Sequence, residues 1–208
     1  MRLIMKKILL IDWYNTLCNS EYFHFENPEV TDLFSKRLFQ DNRSLVVDWL
    51  RGNKTESDII KRISDKNTPP QMIKKAIDKG CDLVDFYDNE VIDKINILKN
   101  SGYKVILATN MMDTFMLKIV PKLNLRLIFN EILVSNEIGA LKTDVDNTGE
   151  LLFFKSLLGK DNLSYKDLVI VDDDINLIKL LRNKGCTTYH VCNISQTKII
   201  LNNLIGTL

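Results

Sequence analysis

Three short aliphatic runs in this chain end in groups that can do chemistry. KILLI, residues 7–11, runs into Asp12; YKVILA, 103–108, runs into Thr109 and Asn110; LVIV, 168–171, runs into Asp172, Asp173 and Asp174. Taken singly, Asp, Asn or Thr after a strand reads as a helix N-cap. An acid triplet caps a helix no better than one acid does, so the three together point to a site. Clustered carboxylates repel one another and need a cation. Hard oxygen donors suit Mg²⁺, which takes one or two carboxylates and keeps positions for water and a substrate phosphate. A carboxylate can also be the nucleophile of a covalent mechanism, and the anion it attacks needs positive charge and hydrogen-bond donors. Lys142, in the loop EIGALKTD, is the candidate cation.

These groups meet only if the strands are parallel neighbours. Unbroken aliphatic runs this short fit strands buried on both faces, as in a parallel sheet. In an open α/β sheet the strand ends share one edge, where ligands bind. From residue 88 onward strand and helix alternate. A helix in DNEVIDKINILKNSG ends at Gly102, and a strand follows over Tyr103 to Ala108. DTFMLKIVPKLNL gives a helix disturbed by Pro121, then a short strand lies around Ile132 to Val134. NTGELLFFKSLLGK reads as a helix running toward Gly159. After the strand Leu168 to Val171 come INLIKLLRNKG, the strand CTTYHV and a last helix in ISQTKIILNNLIG. Repeated strand–helix units imply a doubly wound parallel sheet with helices on both faces.

Between Cys18 and Phe86 the character differs: about four short helices and no convincing buried strand. Asn27 is a candidate N-cap with Pro28 at the first helical position. RSLVVDWLRGN stops near Gly52, and TESD, Thr55 to Asp58, has the shape of a capping box. In TPPQMIKKAIDKG, Thr68 is expected to cap Pro69 and Gly80 to close the helix.

Composition bounds the partners. The 208 residues are 45% hydrophobic, ordinary for one domain with a modest insertion. Lys and Arg number 28 against 27 Asp and Glu, so a net charge of +1 gives no reason to expect nucleic acid or an anionic membrane. No apolar run approaches the roughly 20 residues that span a bilayer. The opening MRLIMKKILLID is too short for a signal peptide and lacks a small-residue cleavage site, so a cytoplasmic location is expected. Cys18, Cys81, Cys186 and Cys192 form no CxxC pair and read as buried or half-buried thiols. His24 and His190 match no metal-binding pattern. Neither GxxxxGK nor GxGxxG occurs, so phosphate-loop and dinucleotide readings have no support.

The order D-x-x-x-T after one strand, T-N after a second, a lysine following a glycine, and a double acid after a third strand resembles the haloacid dehalogenase-like hydrolase superfamily. The resemblance extends from Lys7 through Cys192. It implies a Rossmann-like core over residues 1–17 and 87–208, and a small all-helical cap over 18–86 inserted between the first two motifs. By position, Asp12 would be the nucleophile, Thr109 would hydrogen-bond the transferring group with Asn110 beside it, and Lys142 would neutralise the nucleophile and the substrate anion. Asp173, with Asp172, would hold Mg²⁺ together with Asp12 and the backbone carbonyl of Tyr14. Thr16 and Asn110 would contact substrate. The substrate expected is a small phosphorylated metabolite; nothing bears on oligomeric state.

Tyr14 departs from that pattern. Phosphatases of the superfamily carry an aspartate there as general acid and base. A phenol with an ordinary pKa of about 10 is a weak acid and not a base near neutrality. Three readings follow: a phosphatase with an altered acid, a metal-independent 2-haloacid dehalogenase, or a catalytically weak relative that binds a ligand or protein. Dehalogenases share D-x-Y-x-T but have Gly where this chain has Asn15, and Ser and Asn in place of the acid triplet. They also need an arginine from the cap, for which Arg37 and Arg43 are the candidates.

Overall fold

Ile8–Ile11 forms the central strand, β1, because four aliphatic side chains in succession can be buried on both faces. The computed structural model describes residues 7–159 and 163–207. The charged-then-apolar opening of the sequence therefore lies largely outside the described residues. After β1 come four helices: α1 (Pro28–Ser35), α2 (Arg43–Leu50), α3 (Glu56–Ile63) and α4 (Pro70–Leu83). A wide π-helical turn, Lys36–Asp41, continues α1. The strand–helix part then runs α5 (Glu90–Asn100), β2 (Lys104–Thr109), a π-helical turn Phe115–Ile119 with α6 (Val120–Lys122), α7 (Leu125–Ile128), β3 (Glu131–Val134) and α8 (Ser135–Ile138). It closes with α9 (Lys155–Leu158), β4 (Leu168–Asp172), α10 (Ile175–Asn183), β5 (Thr187–His190) and α11 (Ser195–Ile205).

The five strands are all parallel in the order β3-β2-β1-β4-β5. This is the doubly wound α/β arrangement that the alternating pattern predicts. Ile11 is level with Leu107 on one side and Val171 on the other, so β1, β2 and β4 end within two residues of one another. Leu9, Ile11, Val105, Leu107, Val169 and Val171 face one apolar cluster; Ile8, Leu10, Ile106, Ala108 and Ile170 face another. The first cluster does not stop at the sheet. It continues through Trp13 and Phe115 into Phe23, Phe34, Trp49, Ile59 and Ile73 of the inserted helices and the loop before them. Among the described residues no helix is long and apolar enough to cross a membrane.

Local chemistry sets most boundaries. Asn27 caps α1, its side chain accepting from Glu29 N at 2.9 Å. Thr55 and Asp58 bond reciprocally in a full capping box at the start of α3. Two expectations are corrected. The helix of TPPQMIKKAIDKG does not close at Gly80, nor does Thr68 cap it: α4 starts at Pro70 and runs to Leu83. Gly80 serves close packing instead, since a Cβ there would stand 2.4 Å from the backbone nitrogen of Phe23. Nor does a helix span residues 147–159. The Asp146 side chain accepts from Thr148 N, Thr148 Oγ1 and Glu150 N, and Gly149 takes φ +80°. This local turn competes with the helix, which starts only after a 3₁₀ turn at Leu152–Phe154. Cys18, Cys81 and Cys186 are buried thiols, but Cys192 is exposed, against expectation.

Candidate active site

The sheet delivers the acids. Asp12 leaves β1 with its N–H still donating to Val171 O at 2.9 Å, and Asp172 is the last residue of β4. Both are buried, and between them sits Lys142, itself only 4% exposed. Its Nζ lies 2.8 Å from Asp12 Oδ1 and 2.6 Å from Asp172 Oδ2. Burial works against the ammonium, but the two carboxylates outweigh it and hold the lysine well above its ordinary pKa. For Asp172 burial dominates and raises the carboxyl, opposed by Lys142. Asp173, half-buried, is raised by the same desolvation and partly relieved by a hydrogen bond from Asn15. Asp12, Asp172 and Asp173 each offer an oxygen, and these oxygens lie within 4.8 Å of one another.

Lys142 is positioned by its loop rather than by an element. Gly139, at φ +80°, ends α8. Lys142 N then donates to Asn110 Oδ1 at 2.9 Å, and Leu141 N donates to Asp144 Oδ2 at 2.8 Å. Asp144 is gripped in turn by Arg51, just after α2, through two bonds of 2.8 and 2.6 Å. The inserted helices thus brace the loop that carries the lysine.

The turn after Asp12 is tight. The carbonyl of Trp13 accepts from the N–H groups of Thr16, Leu17 and Cys18, while its indole packs edge-on to Phe86 with centroids 5.1 Å apart. Asn15 takes the left-handed conformation at φ +56°, which Asn tolerates better than most residues. From there its Nδ2 donates to Asp173 Oδ2 at 3.0 Å. Tyr14 is 39% exposed. Burial, then Cys18, Glu21 and Asp173, push its phenol above its ordinary pKa.

The structure brings Asp12, Lys142, Asp172 and Asp173 into one cluster and attaches Asn110 to the lysine loop. Thr109 ends β2 and is buried, level with Val134. Thr16 is buried with its carbonyl accepting from Thr197 Oγ1 of α11, and its own hydroxyl has no hydrogen-bond partner. No hydrogen bond among the described residues joins either threonine to Asp12. Sequence reasoning missed Asn15 as the partner of Asp173; an Asn where a turn needs positive φ was the available signal. It also missed His190, whose Nε2 lies 3.0 Å from the backbone oxygen of Asp173. A cavity of about 420 Å³ opens beside Tyr14 and Asn110 toward the inserted helices. No single stretch of sequence signals it.

No family model matches the chain, and no curated protein matches it. Solved structures do. A HAD family enzyme from Bacteroides thetaiotaomicron, in complex with magnesium and inorganic phosphate, superposes with a TM-score of 0.64 at 19% identity, covering 89% of this chain and 93% of that one. A predicted HAD-like family hydrolase from Porphyromonas gingivalis gives 0.66 at 16% identity over 96% of this chain and 98% of that one. A predicted phosphoglycolate phosphatase from Haemophilus somnus gives 0.54 at 20% identity, covering 94% and 92%. At such identities the likeness is one of architecture, and the architecture is specific: this chain has the fold of the haloacid dehalogenase (HAD) family enzymes.

Proposed function

We propose that the chain is a Mg²⁺-dependent phosphatase of small phosphate monoesters that works through an aspartyl-phosphate on Asp12. The observation that carries this reading is the cluster of three carboxylates around one buried lysine. Three acids against one ammonium leave excess negative charge, which suits a divalent cation. Asp12 is bonded by Lys142 at Oδ1, and Asp173 takes its side-chain bond, from Asn15, at Oδ2, whereas both oxygens of Asp172 are engaged, one by Lys142 and one by Asp174 N. Asp12 and Asp173 are therefore the direct donors, with the Tyr14 carbonyl, and Asp172 supports them. Bound there, the cation would neutralise substrate phosphate charge. The Bacteroides neighbour, crystallised with magnesium and phosphate, supports the same chemistry.

In this mechanism a carboxylate oxygen of Asp12 attacks phosphorus and the P–O bond to the leaving group breaks. Water then cleaves the acyl phosphate and regenerates Asp12. Lys142 orients Asp12 through its 2.8 Å bond, and Thr109 with Asn110 flanks the phosphoryl group. Tyr14, with its phenol raised, supplies little acid or base catalysis, so leaving groups that depart unprotonated are favoured. Residues 18–86 act as the cap that bounds the substrate.

The dehalogenase reading gains one point and loses another. Asn15 takes the left-handed conformation that glycine would give at that position. Its arginine, however, is wanting: Arg37 is held by Ile63 O, Thr68 Oγ1 and Asp65, and Arg43 is exposed and does not line the cavity. Hydrolysis of p-nitrophenyl phosphate with and without Mg²⁺ tests the proposal. Asp12→Asn should lose roughly 10³-fold or more. Equal rates for wild type and variant overturn it, and chelator-resistant halide release from 2-haloacids would favour the dehalogenase.

A further inference from the structure

The cavity that reaches Tyr14, two residues beyond Asp12, and Asn110, which bonds the Lys142 loop, has an unusual lining for a site that handles phosphate esters. Tyr14 and Asn110 line it together with Phe23, Phe39, Leu50 and Met112. The rings are arranged as surfaces: Phe23 and Phe39 are stacked with centroids 5.8 Å apart, and Tyr14 and Tyr22 are tilted at 6.3 Å. Tyr14 and Phe39, at 39% and 40% exposure, are large apolar groups that the chain leaves partly uncovered there. Among the described lining residues one is charged, and it is an acid, Glu21. No lysine or arginine is among those described lining residues. Lys142 is bound by Asp12 and Asp172, Arg37 by Asp65, and Arg51 by Asp144.

We propose that this cavity receives the leaving group, and that it selects uncharged aromatic or other apolar phosphate monoesters over those whose leaving group carries a second negative charge. The proposal rests on the phosphatase reading and narrows it. Apolar walls reward burial of an uncharged ring. A carboxylate or second phosphate in the same place would be desolvated beside Glu21 without a counter-charge. A second observation agrees. Without a strong acid at Tyr14, an aryloxide, which leaves without needing a proton, is the better leaving group. Substrates such as phosphoglycolate, with a carboxylate next to the ester, fit neither requirement.

Calorimetry of the Mg²⁺-loaded protein with benzylphosphonate and with its 3-carboxy derivative tests the selection without requiring turnover. Benzylphosphonate should bind about tenfold tighter. Glu21→Gln, on an exposed position, should narrow the gap about threefold, and Phe39→Arg should close or reverse it. Equal affinities in the wild type, preference for the carboxylated probe, or no binding of either overturns the proposal. Turnover of phenyl phosphate separates it from the broader reading. Selective binding with no hydrolysis would overturn the phosphatase and leave the pocket assignment standing. Hydrolysis without selective binding would do the reverse.

Discussion

Lys142, paired with Asp12, and Tyr14, two residues beyond it, could hardly be held more differently. Lys142 is buried, bonded to two carboxylates and fixed by its own backbone to Asn110. Tyr14 is 39% exposed and makes ring contacts with Tyr22, while its turn is pinned through the backbone of Trp13 and the side chain of Asn15. The acids of the polar floor sit at the ends of parallel strands held in register with their neighbours, and the loop of Lys142 is tied to the residue after β2, Asn110. The apolar wall comes largely from the inserted helices and the loop before them. Their polar attachments to the core are side-chain bonds such as Trp49 Nε1 to Asp113 Oδ1 at 2.7 Å and Lys118 Nζ to Glu56 Oε2 at 2.7 Å. Charge is placed where the scaffold is stiff, and shape where the scaffold can vary.

Three substitutions test this contrast. Lys142→Met strips the floor of its cation and leaves two buried carboxylates facing each other. Removing one partner of a buried ion pair costs about 3–5 kcal/mol, so a fall in stability of that size is expected in urea unfolding. A change under 1 kcal/mol would mean that the carboxylates take up a proton at little cost. Asp144→Asn loosens the brace between the two regions. Arg51 holds the Asp144 carboxyl below its usual range, against the effect of burial. A depressed carboxyl contributes stability that is present above the unfolded pKa of about 3.9 and is lost as pH falls through the folded value. Wild type and variant should thus differ by about 1 kcal/mol near pH 6 and converge as pH falls below the folded value. A constant difference across that range would remove the ion pair as the cause. Asn15→Ala should cost about 1 kcal/mol from left-handed strain. Asn15→Gly relieves that strain but still loses the bond to Asp173, so it separates conformation from contact. If both variants weaken Mg²⁺ binding equally, the contact matters; if only Ala does, the turn matters.

The floor was legible in sequence because its logic is one-dimensional. Aliphatic runs mark buried strands, parallel strands share an edge, and Asp12, Asp172 and Asp173 each sit where a run ends. Asn27 and the Thr55–Asp58 box were legible for the same reason, since caps act over three residues. Gly80 was misread because a glycine that stops a helix and one that admits a neighbouring backbone look alike until Phe23 is in place. Residues 147–150 were misread because the Asp146 turn outbid a good apolar pattern. The wall could not be read at all. It exists only where residues 14–23, 35–50 and 110–112 converge, and no periodicity links those stretches.

The continuity of the apolar cluster has a practical consequence. The chain has two tryptophans. Trp13 follows Asp12 directly and packs against Phe115, whereas Trp49 belongs to α2 and bonds Asp113 beside β2; both are buried. Each therefore lies where the inserted helices meet the sheet. Intrinsic fluorescence is a built-in gauge of that junction: any hinge motion that parts the helices from the strands wets both indoles and moves their emission to the red, with no label attached.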